Sequence, residues 1–310
     1  MKPLTTEQIR AVIARGKLKD NIFKVMGIFC LSLALVVIVA LIADMVIKGS
    51  ERFTVDFFLN FASRHASKAG ILSAWVGSLL VMFVTALAAV PLGVAAGLYL
   101  EEYAKRNWIT NIIEINISNL AAVPSIVYGL LALGIFVYQF GFGQSILSAG
   151  LTLALLILPI IIVSTREAIR AIPAMIREGS MAVGATRWQT CRYHIIPYAM
   201  PGILTGVIIG LARAIGETAP IITIGALTFI AFLPPAPFSE LGDGGTAGLF
   251  DWVMAPFTVM PIQIFNWTSR PDPAFEINAA AAGFVLMAMV LSMNAVAIYL
   301  RYKMRKNIKW

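Results

Sequence analysis

The chain has 310 residues, of which 59% are hydrophobic and only 13% charged, with a net charge of +8 and a mean hydropathy of +0.84. An average soluble domain is about half apolar and a quarter charged. This composition therefore excludes a soluble globular domain, and the open question is how many times the chain crosses a bilayer.

A crossing helix needs roughly 20 mostly apolar residues. Six stretches meet that length, at about 25–47, 71–100, 112–138, 145–163, 202–231 and 279–300. None alternates with the two-residue period of a membrane β-barrel. The expected fold is an all-α membrane protein with six transmembrane helices. The first stretch is too long, and too far from the chain start, for a cleaved signal peptide.

Residues 1–24 predict a separate amphipathic segment at the inner face, with capping-box spacing between Thr5 and Gln8 and a shared face of Ile9, Val12 and Ile13. The remainder, 25–310, reads as one six-helix transmembrane domain with a core at 70–300. Lys and Arg set its orientation. Of the 24 basic residues, the outer segments hold only Lys48, Arg52, Arg64, Lys68 and Arg270, and Arg213 lies inside a helix. The rest fall inside, so both termini are expected in the cytoplasm. The same bias accounts for the net charge and points to lipid surfaces rather than nucleic acid.

In the third stretch, Pro124, Ser125, Tyr128 and Gly129 suit either a pathway lining or a proline kink whose freed carbonyl is met by a neighbouring hydroxyl. Glu114, near its inner end, is given no role. Residues 166–201 form a basic inner loop. Pro173 suits the start of one short helix, and Gly184 suits a left-handed stop before a second, from about residue 186 to 197. Periodicity alone fits a protein-docking helix pair and a connector lying on the membrane equally well.

The fifth stretch buries Arg213 and Glu217. Gly206, Gly210, Arg213 and Glu217 follow at helical spacing and make one stripe, and Gly202, Gly206 and Gly210 repeat as small residues every four positions. Pro220 cannot donate to the carbonyl of Gly216, so the helix is expected to weaken beside Glu217. Two readings stand. The charges form an internal ion pair that positions the helix, or Arg213, steadied by Glu217, presents its fork to an oxyanion with Thr218 nearby. The outer segment 232–277 is rich in Pro, Gly and aromatics, and Trp252, Trp267 and Tyr299 suit an interfacial belt. Cys30, Cys191, His65 and His194 are scattered, so no disulfide or metal site is expected.

Two segments carry a family resemblance. The run Glu178-Gly179-Ser180, then Gly184, then Ile196-Pro197 with Ala199, Pro201 and Gly202, resembles the "EAA loop" of ATP-binding cassette importer permeases, although Gly179-Ser180 replaces the usual Ala-Ala. The run Ala212–Pro220 resembles the signature shared by the two phosphate permeases, PstA and PstC. Segments 97–104, 123–129 and 260–267 are similar to the PstA member.

The resemblance implies a MetI-like type I permease fold and assigns Glu178, Ala182, Gly184, Ile196 and Pro197 to ATPase coupling. It implies a heterodimer with a PstC-type permease, a PstB-type ATPase dimer and the periplasmic phosphate-binding protein PstS, in a bacterial inner membrane. The implied function is phosphate import by alternating access; a PstC-like sister role, or a permease for sulfate or molybdate, is the alternative. No G-x-x-x-x-G-K-[ST] is present, so ATP and Mg are expected on the partner ATPase and no cofactor on this chain. No H-E-x-x-H or G-x-S-x-G suggests an enzyme either.

Overall fold

The computed structural model describes residues 6–239 and 246–306, and every regular element among them is helical. The sequence sets residues 1–24 apart from the first membrane stretch, but the structure has no break there. Helix α1 runs from Thr6 to Gly49. No proline interrupts those 44 residues, and at 1.5 Å per residue they reach about 66 Å, roughly twice a bilayer core. Thr5 lies outside the described residues. The membrane stretch of α1 buries nothing against the rest of the chain. Only its far end packs, where Gly49 lies so close to Ala281 that a Cβ would sit 2.7 Å from that residue's backbone.

A short helix α2 (Val55–Leu59), capped by Thr54, leads to α3 (Leu72–Leu98). There Arg52 fastens the connecting loop, donating to the carbonyls of Ser67 at 2.9 Å and Ala69 at 2.6 Å. α3 ends in a wide π-turn, Tyr99–Tyr103. Helix α6 (Ile146–Arg170) is the hub: 67% of its membrane window is buried, against at most 33% for any other straight span. Small residues let its neighbours close in. Gly93 and Gly97 of α3 rest on Ile161 and Thr165, and Gly150 of α6 receives Val84.

The third stretch is not one straight span. Helices α4 (Trp108–Leu120) and α5 (Ser125–Ala132, extended by a π-turn to Gln139) meet at 105°. Pro124 bars the residue before it from helical backbone, which opens the bend. The Tyr128 hydroxyl donates to the Leu120 carbonyl at 2.8 Å across it, the kink-and-hydroxyl arrangement expected from the sequence.

The fifth stretch shifts most. Its helix starts about fifteen residues earlier than expected and stops sooner. After α7 (Ala174–Ala182), α8 (Arg187–Thr190) passes through a π-turn, Cys191–Ile195, directly into α9 (Ile196–Ile215). Pro197 sits in the first turn of α9, where its missing N–H is harmless. Beyond the break, α10 (Ala219–Ile224) is short, with Pro220 in its own first turn.

The outer segment, whose Pro- and Gly-rich composition predicts a loop, also holds a helix. α11 (Met260–Thr268) buries its first turn and Trp267 while Phe265 stays exposed, and the Met260 amide donates to Ser78 Oγ of α3 at 2.9 Å. Trp267, expected in an interfacial belt, is fully buried against Phe57 and Phe275 instead. Helix α12 (Ala274–Lys306) closes the bundle. Five straight helices and the bent α4–α5 pair thus supply the length for six crossings.

Candidate transport site and coupling surface

Three glycines seat α9 on α6. A Cβ at Gly202 would strike Ala168, one at Gly206 would strike Ser164, and Gly210 lies between Ile157 and Ile161. Progress along α9 is therefore regress along α6, so the two helices are antiparallel. Arg213, three residues past Gly210, comes level with the middle of α6.

The glycine part of the predicted stripe is closed by protein, but its charged end is open. Arg213 occupies the last turn of α9, and Glu217 follows the break. Arg213 Nε stands 3.4 Å from Glu217 Oε1, with the two side chains 40% and 21% exposed. Among the described residues Glu217 is the only ion-pair partner of Arg213. A single contact at that length, from Nε alone, leaves the rest of the guanidinium unengaged. Its remaining donors can receive a bidentate oxyanion.

Thr218 heads α10, its carbonyl accepting from the amides of Ile221 at 3.2 Å and Ile222 at 3.0 Å. The short helix is wedged against α5, where Gly129 abuts Pro220 and Thr223. The Arg213–Glu217–Thr218 break therefore lies between the α9–α6 seam and the α5–α10 contact.

At the far end of α6, α7 and α8 form a rigid tip. Gly184 has φ +91°, the left-handed stop read from the sequence, and the Ala185 amide reaches back to the Ser180 carbonyl at 3.2 Å. Thr186 and Gln189 make a capping box, and the Ser180 and Thr190 hydroxyls are joined at 2.9 Å. Arg177 donates to Glu102 and to the carbonyls of Ile169 and Ile172, all within 3 Å.

On this tip Glu178, Ala182 and Gly184 are exposed together, beside Met175 at 79% and Val183 at 86% exposure and the open Trp188. Such apolar residues raised on a held scaffold mark an interaction surface. Ile196 and Pro197 stand apart, at the foot of α9.

The sequence reading passed over an ion-pair cluster behind the tip. Arg166 reaches Glu114 at 2.6 Å and Glu101 at 3.5 Å, and Arg170 reaches Glu101 at 3.0 Å. The available signal was adjacent acids after one membrane stretch and arginines four apart at the end of another. Among the described residues no group of acidic, histidine and cysteine side chains is arranged to hold a metal.

A multi-span helical bundle with a glycine-seated, interrupted charged helix and a rigid protruding tip defines the class of membrane permeases. Residues 89–307 match the family model described as "Binding-protein-dependent transport system inner membrane component", and the chain belongs to that family. It is a multi-pass inner-membrane component of a binding-protein-dependent transport system, and its fold is that of the MetI-type importer permeases.

Among curated relatives it is 31% identical to the probable ABC transporter permease protein YqgI of Bacillus subtilis, over 90% of this chain and 94% of that one. It is 30% identical to the phosphate transport system permease protein PstA of Mycobacterium leprae, over 97% and 94%. The fold matches the MetNI methionine ABC transporter in an inward-facing conformation, with a TM-score of 0.56 at 17% identity, over 74% of this chain and 93% of that one.

Proposed function

We propose that this chain is a PstA-type subunit that conducts inorganic phosphate from periplasm to cytoplasm. The observation that carries the reading is the half-open Arg213, level with the middle of α6 at a helix break and held by one 3.4 Å contact. Similarity to a PstA protein across nearly the whole chain supports phosphate as the anion.

In this account both termini and the α7–α8 tip face the cytoplasm. The surface left open by α9 and α10 meets a PstC-type permease, and a PstS-type protein delivers phosphate from outside. Glu178, Ala182 and Gly184 dock in a PstB-type ATPase, with Ile196 and Pro197 carrying the movement into α9. The ATPase pair supplies ATP and Mg; this chain binds neither.

Phosphate arriving at the break competes with Glu217 for Arg213, so the guanidinium changes partner without ever being buried alone, which would be costly. Thr218 offers a hydroxyl beside it. Each closure of the ATPase pair would tilt α9 through its α8 extension and turn the site from one side to the other. The test is uptake of labelled phosphate by the reconstituted assembly carrying Arg213→Ala. Loss of uptake with unchanged assembly is expected, and unaffected uptake would overturn the assignment.

A further inference from the structure

The bent α4–α5 pair is joined to the α7 tip by a chain of ion pairs. The π-turn after α3 carries two neighbouring carboxylates whose partners lie on different elements. Glu101, 11% exposed, receives Arg166 at 3.5 Å and Arg170 at 3.0 Å, both from the end of α6. Glu102, 12% exposed, receives Arg177 of α7 at 2.8 Å. Arg166 also holds Glu114 of α4 at 2.6 Å, which is the only ion pair of α4 among the described residues.

The rest of α4 is lightly held. Thr110 is its one buried residue, and Trp108, Ile109, Ile112, Ile113 and Ile115 are exposed. Past the 105° bend, α5 abuts α10 through Gly129, and α10 begins two residues after Glu217. A contiguous path therefore runs from α7 through the π-turn, Arg166 and Glu114 into α4–α5, and on to the charged break. π-turns of this kind recur where helices do functional work. Charges this little exposed leave an uncompensated partner when one is removed, so the cluster holds or shifts as a unit.

We infer that Glu101, Glu102 and Glu114, with Arg166 and Arg177, are positioning residues that pass displacement of the α7 tip to the α4–α5 pair. They set how much substrate moves per ATP rather than whether ATP is hydrolysed. The inference rests on the docking of the tip to an ATPase proposed above, and its physical content is a charged joint with one partner on each moving element.

The test measures phosphate imported per ATP hydrolysed in proteoliposomes holding the complete assembly. Each variant is also checked for co-purification of the ATPase. Glu102→Gln and Glu114→Gln are expected to lower the ratio about tenfold while the ATPase still binds and turns over. Glu102→Asp and Glu114→Asp, which keep the charge, recover most of it.

A ratio within twofold of the parent in both Gln variants overturns the joint, and so does equal loss in the Asp and Gln variants. If Glu102→Gln fails to assemble, Glu114→Gln, on the more open carboxylate, decides alone. Failure of the docking reading shows separately: α7-tip variants would then co-purify with the ATPase as well as the parent does.

Discussion

Gly179 and Gly184 sit five residues apart on the same tip, and the structure gives them opposite responses to one added methyl group. At both positions a Cβ meets nothing within 4 Å, so neither change introduces a clash within the chain. Gly179 is inside α7 with helical backbone, where Ala is favoured by about 1 kcal/mol. Gly184 has φ +91°, where a side chain costs roughly 1–2 kcal/mol. Gly184→Ala should therefore lower the equilibrium constant for the tip conformation by a factor of about 5–30.

If an ATPase recognises that conformation, its apparent affinity falls, by up to the same factor. Gly179→Ala should leave affinity equal or slightly improved. The assay is a fluorescence titration of the ATPase against nanodisc-held permease pairs, with thermal unfolding as a control that both variants should pass. Parental affinity for Gly184→Ala, or an equal loss for both variants, would refute the reasoning.

Three further outcomes follow from the packing. Gly206→Leu drives a side chain into Ser164 and should destabilise the α6–α9 seam by about 1–3 kcal/mol, read as a melting temperature several degrees lower in detergent. Tyr128→Phe strips the Leu120 carbonyl of its hydroxyl partner, at about 1 kcal/mol, and should speed hydrogen exchange at residues 121–123 while leaving exchange in α6 unchanged. Glu217→Gln keeps the size of the side chain but removes its charge, so phosphate uptake should persist with an altered KM, measured in proteoliposomes; abolition of uptake equal to that of Arg213→Ala would contradict the partner-exchange role of Glu217.

What could be read from the sequence was local. The small residues at 202, 206 and 210, the break beside Pro220 and the left-handed stop at Gly184 each need only a few neighbouring residues to specify them, and each is present. The bend at Pro124 was legible as a kink, but its 105° depends on what α5 packs against. Helix α11 was hidden because nine residues within a Pro- and Gly-rich segment carry too little periodicity, and a partner far away in the sequence, Ser78, fixes its first amide. Pro197 reads as the end of the second inner helix. The structure instead places it in the first turn of α9, just past the π-turn, so α8 and the charged span become one rod. The ion pairs of Glu101 and Glu114 with Arg166 join residues dozens of positions apart, and no single-sequence pattern specifies such partners.

The most direct test of the central claim is uptake of labelled phosphate into proteoliposomes holding this chain with its partner permease, ATPase pair and binding protein, with excess sulfate and molybdate as competitors. The account predicts ATP-dependent uptake that neither competitor reduces. Uptake suppressed by sulfate or molybdate would contradict phosphate as the substrate, and uptake without ATP dependence would contradict the coupled importer itself.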